Sequence, residues 1–358
     1  MIGFPPSREL CDEHMIKNNK ILIVQTAFLG DVILALPMVQ TIKNHLPGSV
    51  IDFLCVPGNE PVLTGHPAIR NVIPYDKKGG DKFDKFIEVL SEIRENEYDA
   101  VICPHRYLRS ALLTYYSGAK TRIGFDKNSL SFLLTGKIKY NSNIHEIYRN
   151  IDLARAVPGI NFDENKVSLK PELYPSADDK KYVSELLSKA DKNKLITIAP
   201  CSRWFTKQFP LGKTISLVKL LVEQGCSAAL IGGNDDTAYC NEAANIISDN
   251  RLINLCGKTS PLQSYLVIEN SKALVTVDSA AQHLGAASST PIILIYGSTD
   301  SSFGFYPLTS KNNIIEITGL DCRPCTDHGR DSCPKTHFKC MNDIETERIL
   351  NEVKNLIG

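Results

Sequence analysis

The stretch ILIVQTAFLGDVILALPMVQTIKNHL, residues 21–46, joins a strand, a glycine turn and a helix in direct succession. Its opening run, ILIV, is apolar and mostly β-branched, which is typical of a strand covered on both faces. From Val32 onward, apolar residues recur at spacings of about three and four, the period of an amphipathic helix. This order predicts the first strand–helix unit of a parallel α/β sheet.

Asp31 lies where the strand gives way to the helix, directly after Gly30. An acidic side chain there follows the carboxyl end of a buried strand, which is where open α/β sheets bind their ligands. Asp is also a preferred N-cap residue and favours the positive end of a helix dipole. Both a functional role and a plain capping role are therefore open for Asp31 from this stretch alone.

Strand-like and helix-like segments alternate through the rest of the chain, a pattern typical of βαβ units. The strand-like segments are 49–56, 71–76, 99–104, 194–200, 227–233 and 272–279. Residues 158–179 are rich in Pro, Asn and Asp and lack helical periodicity, which indicates a domain boundary. We therefore predict an α/β protein with an N-terminal tail (1–20) and two Rossmann-like domains, 21–170 and 171–358.

Composition and charge argue against several classes of protein. The 358 residues include 40 basic and 40 acidic side chains, so no global field attracts nucleic acid or an anionic membrane. No apolar stretch is long enough to cross a bilayer, and the N-terminal tail has no signal-peptide core. Neither the glycine-rich dinucleotide fingerprint after a strand nor a P-loop motif is present, which argues against dehydrogenases and P-loop nucleotide hydrolases.

Two turns in the second half have the features of a phosphate site. Asp278 and Ser279 end a predicted strand and begin a helix, so the backbone N–H groups of Ser279 and Ala280 would face an anion such as a diphosphate. Gly297 and Ser298 end the next strand and would approach the same phosphates. An ordinary capped helix accounts equally well for Asp278 and Ser279.

Three other side chains are expected near the same edge of the second sheet. Lys207 follows the strand 194–200, where a lysine could neutralise a diphosphate leaving group instead of only solvating a surface. Asp235 follows the strand 227–233 and would either hold ribose hydroxyls or cap the next helix. His283 is either a ligand-binding or a locally packed histidine.

Four of the eleven cysteines form a Cys-rich segment, 322–340, at Cys322, Cys325, Cys333 and Cys340. Four thiols are the number that a structural Zn²⁺ or iron ion requires, although this spacing is not that of a standard zinc finger. Disulfides or unligated, packed thiols are the alternatives. The other seven cysteines lie in apolar or strand-like contexts and are expected to be buried thiols in a reducing compartment.

With these pieces in place, the sequence resembles glycosyltransferase family nine, the ADP-heptose:lipopolysaccharide heptosyltransferases, and within it the heptosyltransferase II type. The stretches that carry the resemblance are residues 21–43, 108–125, 257–300 and 322–341. The resemblance implies a GT-B fold, in which two Rossmann-like domains face each other across a cleft. It also implies an inverting transfer of heptose from ADP-heptose to the inner core of lipopolysaccharide.

The resemblance gives individual residues a role. Asp31 matches the acidic residue that serves the family as general base, and Lys207 matches its lysine beside the sugar and phosphate. The predicted donor-binding residues are Ser202, Asp235, Asp278, Ser279, Ala280, His283, Gly297 and Ser298. The family usually has glycine where this chain has Ala280, and the loop around Lys207 also departs from the commoner forms. The implied chemistry requires no catalytic metal, because the lysine and helix ends stabilise the departing charge.

The implied partners are ADP-heptose and a lipid-linked core acceptor, with no nucleic acid. The basic residues Arg106, Arg109 and Arg122 in the first domain are predicted to bind acceptor phosphates, although such runs are often only solvated. The implied location is the cytoplasm, with contact at the cytoplasmic face of the inner membrane. Two alternatives stay open: a related transferase with another donor, and a nucleotide-sugar-binding module without catalysis.

Overall fold

The computed structural model describes residues 19–77 and 80–357. Residues 1–18 of the predicted N-terminal tail lie outside this description. The chain divides into two compact units, Met1–Leu169 and Lys170–Gly358. In the described part of each unit there is one six-stranded sheet in which all paired strands run parallel.

The first unit is built on a sheet with the strand order β3-β2-β1-β4-β5-β6. Its strands are β1 (Lys20–Val24), β2 (Val50–Cys55), β3 (Asn71–Pro74), β4 (Ala100–Cys103), β5 (Thr121–Phe125) and β6 (Gly136–Ile138). The order reverses between β1 and β4, because the chain builds outward from β1 on one side and then on the other. Ligands of open α/β sheets bind beside such a switch point, at the carboxyl ends of the strands.

Within residues 19–77 and 80–169, four α-helices connect and cover this sheet: α1 (Leu29–His45), α2 (Lys82–Glu95), α3 (Leu108–Tyr116) and α4 (Glu146–Arg155). The prediction of an amphipathic first helix is wrong in one respect, since every residue from Val32 to Ile42 is buried. The cause is α4, which packs against α1 and ties the two together through Asn150 Nδ2, a donor to the Leu34 carbonyl at 3.0 Å. A helix buried on all sides needs no polar face.

The second unit has the strand order β12-β11-β10-β7-β8-β9. Its strands are β7 (Leu195–Ala199), β8 (Ser227–Leu230), β9 (Leu252–Asn254), β10 (Ala273–Val277), β11 (Ile292–Tyr296) and β12 (Asn312–Glu316). Here the order reverses between β7 and β10, so the loops after these two strands are the ones placed to form a ligand site.

The helices of the second unit are α5 (Ala177–Leu186), α6 (Leu211–Glu223), α7 (Thr237–Ile247), α8 (Pro261–Glu269), α9 (Ala280–Ala287), α10 (Lys339–Asn342) and α11 (Thr346–Ile357). The core beneath them includes several thiols as small apolar groups, among them Cys201, Cys226, Cys240 and Cys256. All ten cysteines in the described part of the chain are free thiols. None of the helices described is both long and apolar enough to span a bilayer.

Candidate functional site

In the first unit, Asp31 sits in the first turn of α1, just past the carboxyl end of β1. Its Oδ2 atom accepts a hydrogen bond from the backbone N–H of Phe28 at 3.2 Å. Asp31 therefore helps to cap α1 from position N3, whereas the N-cap residue itself is Phe28 and not Asp31. The side chain is nonetheless only half-buried. A carboxylate held at the end of β1 by a helix-cap hydrogen bond has a fixed position from which to accept a proton.

A hydroxyl–imidazole cluster lies at the ends of the neighbouring strands β1 and β4. His105 Nδ1 lies 3.1 Å from Thr26 Oγ1 and 2.7 Å from Ser110 Oγ, and the two hydroxyls are 2.9 Å apart. Burial, together with the nearby charges of Lys77 and Arg106, lowers the pKa of His105 to about 4. The imidazole is therefore neutral at physiological pH, and the cluster supplies polar groups without adding charge.

The three arginines predicted to bind acceptor are anchored by different contacts. The guanidinium of Arg106 lies 4.2 Å from the centroid of the Tyr140 ring. Arg109 Nη1 donates to the Lys77 carbonyl at 2.5 Å. Arg122 donates from Nη1 and Nε to two backbone carbonyls near β5, which gives it a structural function at its place in the sheet. Acceptor binding by these residues stays a prediction.

In the second unit, the structure brings Lys207 and Asp278 together at the ends of β7 and β10. Lys207 Nζ lies 2.9 Å from Asp278 Oδ2, and both side chains are largely buried, at 13% and 14% exposed. The same Oδ2 accepts a hydrogen bond from Thr299 Oγ1 at 2.7 Å, and Oδ1 accepts one from Gln282 Nε2 at 2.7 Å. Asp278 is therefore held on both oxygens, with the Lys207 ammonium beside it.

The charge of Asp278 depends on this environment. Burial alone would raise the pKa of its carboxyl, but the Lys207 ammonium and the Thr299 hydroxyl outweigh burial and lower the pKa below its ordinary value. The carboxylate is consequently ionised at neutral pH. It fixes the lysine at the carboxyl edge of the sheet, which is the place where open α/β folds receive a ligand.

The predicted phosphate-facing turn is formed at the start of α9. Ser279 is the N-cap residue of this helix and its side chain makes no capping hydrogen bond. The first N–H groups of the helix begin at Ala280, beside the Lys207–Asp278 pair, and a helix N-terminus favours an anion. His283 lies on the same helix and is buried. Ser202 Oγ donates to the Asp278 carbonyl at 3.4 Å, which places it at the same turn.

Gly297 and Ser298 lie at the end of β11, against the loop that contains Lys207. Ser298 Oγ donates to Thr206 Oγ1 at 2.9 Å. A Cβ atom added to Gly297 would come within 2.9 Å of the Thr206 carbonyl and 2.5 Å of Met341 Cε. Glycine is therefore required at position 297 for packing. Its close approach positions Thr206, which directly precedes Lys207 in the chain.

We expect Gly297→Ala to lower the free energy of unfolding by about 2 kcal/mol, because the added methyl group overpacks the Thr206 backbone. Gly212→Ala is the matched control, since a Cβ at that helical position meets nothing within 4 Å. Urea denaturation of both variants measures the difference. Equal stabilities of the two variants would contradict the packing argument.

Asp235 is exposed in the short turn that follows β8. Its neighbour Asp236 caps this turn, with Oδ2 accepting from the Gly233 N–H at 2.8 Å. No hydrogen bond connects Asp235 to the Lys207–Asp278 pair among the contacts of the described residues, so its ribose-binding role stays a prediction.

The structure brings the four late cysteines into one neighbourhood. Burial, followed by the nearby thiols of Cys325, Cys333 and Cys322, raises the pKa of Cys340 to about 11. Cys322 Sγ also lies 3.8 Å from His337 Nε2. Within residues 19–77 and 80–357, however, no group of three or more His, Cys, Asp or Glu side chains is arranged to hold a metal ion. The zinc or iron ion stays a prediction, and no catalytic step is assigned to it.

Comparison with known proteins identifies the family. The family model described as glycosyltransferase family 9 (heptosyltransferase) matches residues 87–335. The chain belongs to glycosyltransferase family 9. The resemblance inferred from its motifs is thereby confirmed.

Relatives of this family 9 chain match it over nearly its whole length. It is 24% identical to lipopolysaccharide heptosyltransferase 2 of Escherichia coli K12 over 350 residues, covering 94% of this chain and 98% of the relative. A family 9 glycosyltransferase from Veillonella parvula has a similar structure, with a TM-score of 0.84 at 19% identity, covering 97% of this chain and 99% of that one.

The E. coli ADP-heptose lipopolysaccharide heptosyltransferase II structure matches with a TM-score of 0.78 at 24% identity, covering 94% of this chain and 98% of that one. These structural matches and the two parallel six-stranded sheets confirm the predicted α/β class and GT-B fold.

Several residues of the candidate site were missed in the sequence. Gln282 lies four residues after Asp278, a spacing that places both on one helical face, so this contact was within reach of sequence reasoning. Two other contacts could not be found in this way. The Thr206–Ser298 hydrogen bond and the contacts of Thr26 with His105 and Ser110 join side chains from distant parts of the chain.

Proposed function

We propose that this family 9 glycosyltransferase transfers heptose from ADP-heptose to an acceptor in the inner core of lipopolysaccharide, with inversion at the anomeric carbon. The observation that carries the proposal is the Lys207–Asp278 pair at the N-terminus of α9, where a cation and helix N–H groups converge on one sheet edge. A departing nucleoside diphosphate is stabilised by an ammonium group and helix N–H groups that are placed together in this way.

The proposed mechanism is a single displacement. Asp31 accepts the proton of an acceptor hydroxyl while that oxygen forms a bond to the anomeric carbon. The bond from the anomeric carbon to the diphosphate oxygen breaks on the opposite face, and ADP leaves with the electron pair. Attack opposite the leaving group inverts the configuration of the sugar. Lys207 and the first N–H groups of α9 stabilise the negative charge that develops on the diphosphate.

The remaining donor contacts follow from the same turn. Asp278 would hold sugar hydroxyls while it fixes Lys207, and Ser202, Ser279, Ala280 and Ser298 line the approach to the phosphates. Asp235 would contact the ribose from the end of β8. In the first unit, Arg106, Arg109 and Arg122 would meet acceptor phosphates. A lipid-linked acceptor would bring the enzyme to the cytoplasmic face of the inner membrane.

A panel of nucleotides and nucleotide sugars, followed by thermal unfolding, tests the donor assignment. We expect ADP and ADP-heptose to raise the melting temperature, since a ligand at 100 times its Kd stabilises the folded state by about 2.7 kcal/mol. UDP, GDP and their sugars are expected to have little effect and serve as matched controls. Stabilisation by a UDP- or GDP-sugar, with none by ADP, would contradict the proposed donor.

A further inference from the structure

The first unit carries a group of exposed apolar side chains that the proposed mechanism does not use. Leu108, Tyr115 and Tyr116 of α3 are exposed, and Phe132, in the short turn before β6, is 73% exposed. Leu108, the half-buried Leu112 and Tyr115 follow one another at spacings of four and three, so they lie along one face of α3. A contiguous exposed apolar group on a folded protein marks an interaction site.

Arg122 joins α3 to the turn that contains Phe132. Its guanidinium lies 5.8 Å from the centroid of the Tyr115 ring. Its Nε donates at 3.1 Å to the carbonyl of Leu133, the residue after Phe132, and its backbone N–H donates to Thr135 Oγ1 at 2.7 Å. The end of α3 and this turn are therefore neighbours. We define the α3 apolar surface as Leu108, Leu112, Tyr115, Tyr116 and Phe132.

The segment that builds this surface is strongly basic. Residues 104–140 contain seven basic side chains and one acidic side chain, Asp126, although the whole chain has 40 of each sign. Four lysines of this segment are exposed: Lys120, Lys127, Lys137 and Lys139. Lys120 follows the residue whose carbonyl accepts from Arg122 Nη1 at 2.7 Å, so positive charge begins at the edge of the apolar surface.

An anionic lipid bilayer matches both properties of this region. Its interface accepts aromatic and aliphatic side chains, and its phosphates attract lysines whose ammonium groups stay in water. A second copy of the chain would instead bring the same excess of positive charge against itself. A free phosphate or a nucleic acid would satisfy the lysines and leave Leu108 and Phe132 in water. Charge complementarity and the apolar side chains therefore favour lipid.

We propose that the α3 apolar surface and the four exposed lysines form a docking surface for an anionic lipid bilayer, in which Phe132 and Tyr115 enter the interface and the lysines contact lipid phosphates. The inference rests on the proposed function in one respect, because a lipid-linked acceptor lies in such a bilayer. Docking brings the first unit to that acceptor. Arg109, one of the arginines predicted to bind acceptor phosphates, directly follows Leu108 of the docking surface.

Flotation of the full chain with vesicles tests the proposal. The vesicles contain phosphatidylethanolamine with about one third phosphatidylglycerol and no lipopolysaccharide. We expect wild type to float with these vesicles, to be released by high salt, and to bind purely zwitterionic vesicles poorly. Phe132→Ser should lower the partition coefficient by about tenfold, because its apolar area no longer enters the interface. Lys137→Gln with Lys139→Gln should lower it by about fivefold for each lysine removed.

Phe83→Ser is the matched control. Phe83 of α2 is 69% exposed in the same unit, but residues 81–97 around it contain six acidic and three basic side chains. This variant should bind vesicles as wild type does. The proposal is overturned if wild type does not float with anionic vesicles, if zwitterionic vesicles bind it equally, or if Phe132→Ser and Phe83→Ser have equal affinities. A surface that takes an acidic protein in place of lipid would give the first of these results.

Tryptophan fluorescence tests entry into the interface directly. The chain has one tryptophan, Trp204, in the second unit, so the difference between Phe132→Trp and wild type reports on position 132. Anionic vesicles should shift the emission of Phe132→Trp to shorter wavelength and leave that of Phe83→Trp unchanged. An unshifted emission from Phe132→Trp would overturn the proposed insertion.

Activity assays separate this proposal from the proposed function. Phe132→Ser should transfer heptose to a soluble, delipidated core acceptor at the wild-type rate and should be slower than wild type on acceptor embedded in vesicles. Equal rates of the two proteins on the embedded acceptor would overturn the role of docking. Absence of transfer by wild type to either acceptor would contradict the proposed function, while flotation with vesicles that lack lipopolysaccharide would still decide whether the surface binds lipid.

Discussion

Asp31→Asn is expected to slow heptosyl transfer by about 10²- to 10⁴-fold, the usual contribution of a general base. The amide cannot accept the proton of the acceptor hydroxyl, yet its oxygen can still accept the hydrogen bond from the Phe28 N–H. The fold and the affinity for ADP should therefore be close to those of wild type. Initial rates of ADP release, combined with calorimetric titration of ADP, measure the two quantities separately.

Asp84→Asn is the matched control for this substitution, because Asp84 also lies in the first turn of a helix of the same unit, α2, and is exposed. It should leave the transfer rate unchanged. If Asp31→Asn kept more than a tenth of wild-type activity, another group would have to act as the base. Loss of ADP binding in that variant would instead point to misfolding.

Lys207→Met is expected to have the second large effect. Removing a preorganised cation from the leaving group should lower kcat by about 10²- to 10³-fold. The same change leaves Asp278 buried without its cation, which should cost about 3 kcal/mol of folding free energy at neutral pH. Lys219→Met, on the exposed side of α6, is the control and should alter neither quantity appreciably.

The stability of wild type and that of Lys207→Met should depend on pH in opposite directions. In wild type the pKa of Asp278 is lowered in the folded state, so its contribution to stability is present above the ordinary pKa and is lost as the pH falls. In Lys207→Met, burial should raise that pKa, so the folded variant regains stability on acidification. The difference in melting temperature between wild type and variant should therefore be smaller at pH 4.5 than at pH 7.5.

A double-mutant cycle completes this test. Lys207→Met with Asp278→Asn should be less destabilised than Lys207→Met alone, because no uncompensated carboxylate is left buried. Additive losses of stability would show that the two side chains do not act as a pair and would contradict the geometry of the site.

The fold could be predicted from the sequence because its parallel strands are short apolar runs. The runs at β1, β4, β7 and β10 are buried on both faces, and that burial is what the unbroken hydrophobic pattern records. The full burial of α1 could not be predicted from the hydrophobic pattern. It depends on α4, which lies a hundred residues further along the chain and whose packing partner no local pattern identifies.

The candidate site could be predicted from the sequence only in part. Strand ends and helix starts could be located from periodicity, which is why Asp31, Lys207 and Asp278 were selected. The ion pair between Lys207 and Asp278 depends on strand order rather than on local sequence. The same is true of the hydrogen bond that Thr299 donates to this carboxylate.

We propose ADP-heptose as the donor, lipopolysaccharide core as the acceptor and Asp31 as the base. The most direct measurement is the rate of ADP release from ADP-heptose by wild type and by Asp31→Asn, with and without a core acceptor that lacks this heptose. We predict release by wild type only when the acceptor is present, accompanied by heptose in the product, and almost none by the variant. Equal release by the two proteins, or heptose transfer that proceeds without Asp31, would contradict the account.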